Sequence, residues 1–282
     1  MVQRRNGVYR LGPDDVVDAT GLIAGGDPQV DVFVDYRIRT TRMDIHALGG
    51  EIWGYFEDGR LVSLCHSGAN LVPAHATPEA VEAFARYAIR RGRRCATIVG
   101  RREDVRQLWD VVGPVWGPAR EERWDQPHMV CDEPPLVEPD PLVRRAEPAD
   151  LPIVHPAAVA MYTEEVGISP DIGGGGEFYR ARVAHLIEAG WSFVRIEDGR
   201  VVFKAEVSAA SPYACQVQGV YVAPDRRGQG LAAPGMAAVV QIALREIAPA
   251  VTLYANSHNI PAIRCYERAG FRQTATFASV MF

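Results

Sequence analysis

Two stretches of the chain alternate apolar and polar residues around an Asp-Gly pair. In the first, Trp53-Gly54-Tyr55-Phe56 passes through Glu57-Asp58-Gly59-Arg60 into Leu61-Val62. In the second, Phe193-Val194-Arg195-Ile196 passes through Glu197-Asp198-Gly199-Arg200 into Val201-Val202. Asp-Gly between short apolar runs predicts a two-residue hairpin, because that turn needs positive φ at both central residues. The two turns lie 140 residues apart. After the first come an apolar run, a helix over 78–91, a strand over 95–99 and a helix over 103–112. After the second come strands over 201–208 and 214–222, a helix over 231–247, a strand over 251–255 and a last strand over 271–282. The repeated order predicts an α/β protein, a mixed sheet flanked by helices, built twice.

Ahead of the second hairpin the pattern predicts a short strand over 143–146. A helix starts at Pro148-Ala149-Asp150-Leu151 and continues through Val154, Ala158 and Met161. Pro152 and Pro156 are expected to kink or delay it. The run Gly173 to Gly176 reads as a flexible loop, followed by a helix over 178–189 and a strand over 191–197. The stretch from Asp132 to Pro141 is rich in proline and acid and reads as a linker. The expected division is a first domain over 1–131, a linker over 132–142 and a second domain over 143–282.

Composition narrows the function classes. The 282 residues are 48% hydrophobic and 23% charged, as expected of a soluble globular chain, and the net charge of −5 gives no global attraction to nucleic acid or to an anionic membrane. Five scattered cysteines, Cys65, Cys95, Cys131, Cys215 and Cys265, form no Cys-x-x-Cys pair, so neither a disulfide framework nor a metal site is expected. No apolar signal core or membrane-length run is present, which predicts a cytoplasmic protein. Of the 30 basic residues only Lys204 is lysine, so any self-acetylation of a side chain would have that one target.

The chemistry concentrates in two motifs. Val220-Tyr221-Val222-Ala223-Pro224 reads as a strand ending at a proline, and Asp225-Arg226-Arg227-Gly228-Gln229-Gly230-Leu231-Ala232 turns through glycines into a helix. Such a turn aims unpaired N–H groups outward at the positive end of a helix, where phosphate binds. Gly228 and Gly230 permit close approach, and Arg227 adds a fixed charge. The pattern is neither a Walker loop nor a dinucleotide fingerprint. The second motif, Asn259-Ile260-Pro261-Ala262-Ile263-Arg264-Cys265-Tyr266-Glu267-Arg268-Ala269-Gly270-Phe271, follows the strand-like Val251-Thr252-Leu253-Tyr254. Pro261 suits a first helical turn and Gly270 a C-terminal cap.

Arg227, Gly230 and Ala232, spaced Arg-x-x-Gly-x-Ala, resemble the acetyl-CoA pyrophosphate loop of the GNAT (GCN5-related) N-acetyltransferases. Asn259, Ala262, Tyr266, Gly270 and Phe271 resemble the family's second signature. The resemblance covers about 143–282. It implies that Val220 and Val222 pair through their backbone with pantetheine, and that Arg227, Gly228, Gln229, Gly230, Leu231 and Ala232 hold the pyrophosphate. Asn259 would contact the cofactor, and the Tyr266 hydroxyl would protonate the departing thiolate. A plain helix cap at Asn259 and a half-buried helix tyrosine at Tyr266 are the alternatives.

The implied activity is direct acetyl transfer from acetyl-CoA, without a metal, to an amine acceptor: a small molecule, a peptide N-terminus or a protein lysine. A homodimer is compatible with it. The general base stays open among Glu206, Glu164, Glu165, His258 and water, since Gln216 and Gln218 stand where some members carry a glutamate. Lys204 is either an exposed or salt-bridged lysine, or a cation facing the acceptor groove that selects an anionic substrate. The first half keeps the hairpin but not the motifs. Val72-Pro73-Ala74-His75-Ala76-Thr77-Pro78 replaces the loop and Trp109 the tyrosine, so it reads as a degenerate GNAT-like domain. A non-catalytic acyl-CoA-binding regulator is the other function class.

Overall fold

The computed structural model describes residues 4–282. They form two compact units, one of residues 4–128, 254–258 and 273–282, the other of residues 129–253 and 259–272.

The first unit opens with β1 (Gly7–Arg10), α1 (Val16–Ala24), α2 (Val32–Thr41) and the single turn α3 (Ile45–Leu48). The repeat follows as β2 (Glu51–Glu57), β3 (Arg60–Ser67), β4 (Asn70–Ala74), α4 (Pro78–Arg91), β5 (Thr97–Arg101), α5 (Arg102–Trp116) and β6 (Glu121–Cys131). The second unit holds β7 (Arg144–Arg145), α6 (Leu151–Val166), α7 (Gly176–Glu188), β8 (Ser192–Glu197), β9 (Arg200–Ala210), β10 (Cys215–Val222), α8 (Ala232–Glu246), β11 (Val251–Tyr254) and α9 (Ile260–Ala269), and the chain ends in β12 (Arg272–Met281).

Both hairpins form as the sequence requires. Glu57 pairs with Arg60 and Glu197 with Arg200, leaving two-residue loops. Asp58 and Asp198 both take φ 48°, with Gly59 at 77° and Gly199 at 72°, the left-handed pair that favours Asp-Gly. Each hairpin also slips register at the same place, between Tyr55 and Phe56 and between Arg195 and Ile196. The repeat therefore extends to backbone irregularities.

The strand order is β1-β2-β3-β4-β5-β12-β6 in the first unit and β11-β10-β9-β8-β7 in the second. Strand β12, which the sequence assigned to the C-terminal domain, pairs antiparallel with β5, Ser279 opposite Val99. Its buried Ala278 and Val280 pack with Trp53, Phe84 and Ile98 of the first unit. A cut at a linker therefore does not describe the units, because strand pairing is decided far along the chain.

The proline-rich stretch is docked within the second unit. Leu136 N–H donates to Ala269 O, Asp140 N–H donates to Pro234 O, and the Asp140 carboxylate is buried against Arg195 Nη1 at 2.6 Å. Helix α6 also departs from expectation, running unbroken through Pro156. Pro152 lies in its first turn, where the missing donor is harmless, and buried Val154 and Ala158 hold the rest against Tyr179, Val183 and Val194.

Candidate active site

Strands β10 and β11 are parallel neighbours only at Cys215–Val251 and Gln216–Thr252. Beyond Gln216 they separate, leaving one edge of β10 without a ladder partner. On its other edge β10 pairs with β9, Gln218 opposite Glu206 and Tyr221 opposite Lys204. Gly219 and Val220 together face the single residue Ala205, which is a β-bulge. Gly219 adopts φ +62°, as the extra residue of a bulge commonly does. Val220 and Val222 thus lie on the strand that borders the opening.

After Val222 the chain leaves the sheet, with Ala223 N–H donating to Val202 O. Gly228 and Gly230 adopt φ +73° and +80°, and a Cβ at either would meet no heavy atom within 4 Å. The glycines are thus required by backbone conformation in a loop that faces open space. Helix α8 begins at Ala232 after Leu231 as its N-cap, and Gly235 N–H donates to Leu231 O. The backbone N–H groups of Gly228, Gln229, Gly230, Leu231, Ala232 and Ala233 donate to no acceptor among the described residues. These are the orphan donors of a helix start, at the positive end of its dipole. Gln229 braces the loop, donating through Nε2 to Asp225 O at 2.9 Å and accepting from Arg226 Nε at 3.0 Å. Arg227 donates through Nε to Val222 O and, through Nη1 and Nη2, to the Glu164 carboxylate at 2.9 and 2.7 Å. Glu164 therefore stands at the glycine loop.

Tyr266 is fixed by the end of its helix. Gly270 takes φ 109°, and Phe271 N–H donates back to Tyr266 O at 3.0 Å. This is a Schellman closure, with the Phe271 ring edge-on to Tyr266 at 6.0 Å as its apolar contact. The Gly-Phe pair of the motif thereby sets the position of the tyrosine. Tyr266 is buried, and burial, then Cys265 and Glu165, pushes its phenol pKa up, so it stays protonated at neutral pH. Asn259 is exposed and caps α9, its Oδ1 accepting from Ala262 N–H at 3.3 Å. That is the plain capping role, and it leaves the side-chain amide nitrogen available.

Glu206 and Lys204 lie on β9 in a buried ionic cluster. Lys204 is 0% exposed and Glu206 2%. Lys204 Nζ donates to Glu206 Oε2 at 3.1 Å and to Gly219 O at 3.0 Å. Gln218 Nε2 donates to Glu206 Oε1 at 2.9 Å, and Arg182 Nη1 approaches it at 3.5 Å. Desolvation would raise the Glu206 pKa, but Lys204, Arg182 and Gln218 outweigh it and hold the carboxyl below its ordinary value. A carboxylate so engaged is a poor proton acceptor near neutral pH. Lys204 is buried and paired with Glu206, so of the two expectations for it the salt bridge is the one the structure shows. The same burial removes it as a self-acetylation target.

The corresponding turn of the first unit is closed. β4 and β5 also pair only at two positions, Asn70–Thr97 and Leu71–Ile98. Three of the donors beyond them are used internally. His75 N–H donates to Asp31 Oδ2, Thr77 N–H to Ser63 Oγ, and Ala80 N–H to Thr77 Oγ1. A Cβ at Gly26 would lie 2.1 Å from the His75 ring, so that ring fills the space over the turn. Among the described residues no His, Cys, Asp and Glu group is arranged to hold a metal, and no helix is long and apolar enough to cross a membrane.

Residues 175–271 match the acetyltransferase (GNAT) family. The chain carries a GNAT acetyltransferase domain. Residues 50–154 match a domain of unknown function, DUF4081. No curated protein matches the chain. Among solved structures, a GNAT-family acetyltransferase from Colwellia psychrerythraea is 12% identical with a TM-score of 0.59, covering 98% of this chain and 99% of that one. A tandem GNAT protein from the clavulanic acid biosynthesis pathway is 14% identical with a TM-score of 0.55, covering 97% and 98%. A GCN5-related N-acetyltransferase from Sphaerobacter thermophilus is 17% identical with a TM-score of 0.58, covering 97% and 95%. At these identities the likeness is one of fold, and it spans both units of tandem GNAT architecture. Sequence reasoning missed Gly219 and Arg182 and gave Gln218 no part in holding Glu206, although a glycine inside a strand pattern is a signal of a bulge.

Proposed function

We propose that the GNAT domain transfers an acetyl group directly from acetyl-CoA to an amine. The observation that carries this reading is the six-residue run of N–H donors from Gly228 to Ala233, free of internal acceptors and next to Arg227. In this reading the run receives the pyrophosphate, and Arg227 exchanges Glu164 for it. The open edge of β10 around Val220 and Val222 takes the pantetheine arm as an added strand would. An N–H on that edge polarises the thioester carbonyl.

The amine nitrogen attacks the carbonyl carbon, the new C–N bond forms and the C–S bond breaks. Tyr266, kept protonated by burial, gives its proton to the departing thiolate and recovers one from solvent. The proton lost by the amine goes to water or to Glu165, which is exposed and lies in the field of Tyr266. The buried, lowered Glu206 is left to a structural role, and Glu164 to holding Arg227 until the pyrophosphate takes its place.

The test is release of free CoA thiol from acetyl-CoA on addition of a panel of amines. Amine-dependent release supports transfer. Tight acetyl-CoA binding with no release for any amine would favour the non-catalytic regulator instead.

A further inference from the structure

The one lysine of the chain is fully buried, which is unusual for that residue type. A buried ammonium is costly and persists only where hydrogen-bonded partners compensate it. Its partners here are the Glu206 carboxylate and the carbonyl of Gly219. That carbonyl belongs to the β-bulge, whose extra residue has no ladder partner. Lys204 thus satisfies a backbone group that the bulge would otherwise leave unpaired. The fit is close, since a Cβ at Gly219 would lie 3.0 Å from Glu206 Cδ and 3.1 Å from Lys204 Nζ.

The bulge has a consequence for the open edge of β10. N–H and C=O groups alternate in direction along a strand, so one extra residue exchanges donors for acceptors on that edge. The other copy of the repeat is an internal control. Counted from the aligned hairpin turns, Leu64 and His66 stand where Lys204 and Glu206 stand. There β3 and β4 pair without a register shift from Leu64–Ala74 to Ser67–Leu71. The unit with the open glycine loop has both the bulge and the charged pair, and the unit with the closed turn has neither.

We propose that Lys204 and Glu206 are positioning residues that clamp the Gly219 carbonyl and so fix which backbone groups β10 presents to the thioester. The role of the clamp in turnover rests on the acetyl-transfer reading; the clamp itself does not.

Two neutral double variants of similar volume separate the donor from the charge. Lys204→Gln/Glu206→Gln keeps a donor for Gly219 O, and Lys204→Met/Glu206→Gln removes it. Hydrogen exchange over residues 217–222 is measured in the ligand-free proteins, with acetyl-CoA affinity and steady-state rates alongside. The Met variant is expected to exchange at least about 10-fold faster there than the Gln variant. Its kcat should fall by about 10-fold or more, with acetyl-CoA affinity within about 3-fold. The Gln variant should keep most of the wild-type kcat. Equal exchange in the two variants overturns the clamp, and faster exchange with equal kcat overturns its role in turnover. If the Met variant does not fold while the Gln variant does, wild-type-like exchange and kcat in the Gln variant support the clamp, and faster exchange or a lowered kcat there overturns it. If the wild type neither binds nor turns over acetyl-CoA, the acetyl-transfer reading fails, while the exchange comparison still decides the clamp.

Discussion

Asp31→Asn is expected to stabilise the first unit at alkaline pH and to lose that advantage in acid. Asp31 is 7% exposed, and its Oδ2 accepts from His75 N–H at 3.0 Å. Burial pushes its carboxyl up from 3.8 to about 7, against the opposing pull of Arg101 and of the His75 N–H. Because the folded state holds this proton more tightly than the unfolded chain, stability is fully present below about pH 4 and is lost as the pH rises to about 7. A rise of about three pKa units corresponds to about 4 kcal/mol against the ionised form. Asparagine keeps an acceptor for His75 but loses a charge-assisted bond, which returns about 1 kcal/mol. The net gain at about pH 8 is then roughly 1–3 kcal/mol, shrinking to within about 1 kcal/mol at about pH 4.5. His66 and His128, both pushed down to about 4 by burial, titrate with the opposite sign, since stability is lost as pH falls from about 6.5. They are common to both proteins and cancel in the comparison. Urea unfolding of wild type and variant at the two pH values reads the difference. A variant destabilised at pH 8 as much as at pH 4.5 would mean that Arg101 compensates the buried charge and that Asp31 carries no burial penalty.

Tyr266→Phe is expected to lower kcat by about 10²-fold or more with acetyl-CoA affinity nearly unchanged, measured by thiol release and calorimetry. An unchanged kcat would remove the tyrosine from the proton path. Lys204, at 0% exposure, is expected to resist acetic anhydride in the folded protein and to react only after denaturation, as peptide mass spectrometry would show. Modification at the rate of a free lysine would mean that β9 opens readily.

The features legible in the sequence were local ones. Asp58-Gly59, Asp198-Gly199, the glycines at 228 and 230 and the Gly270-Phe271 pair each dictate backbone geometry within a few residues, and each appears as read. The helices before Trp53 were not legible. α2, Val-Phe-Val-Asp-Tyr-Arg-Ile-Arg-Thr-Thr, is rich in residues that favour strands. It is held by the packing of Val34 and Ile38 and by Thr40 and Thr41 hydroxyls bonded to the preceding turn. The pairing of β12 with β5, the bulge at Gly219 and the buried Lys204–Glu206 pair were also beyond reach. Each depends on residues that meet only after the sheet forms.

In the proposed reaction the loop at residues 227–232 holds acetyl-CoA. Calorimetry on the purified chain, with Gly230→Glu as control, tests it most directly. A glutamate there would place a negative charge among the free donors and force a side chain into a backbone conformation of φ +80°. One site per chain, abolished by the substitution, is the predicted result. Binding that survives Gly230→Glu would place the cofactor elsewhere, and no binding of acetyl-CoA at all would mean that this loop is not a cofactor site.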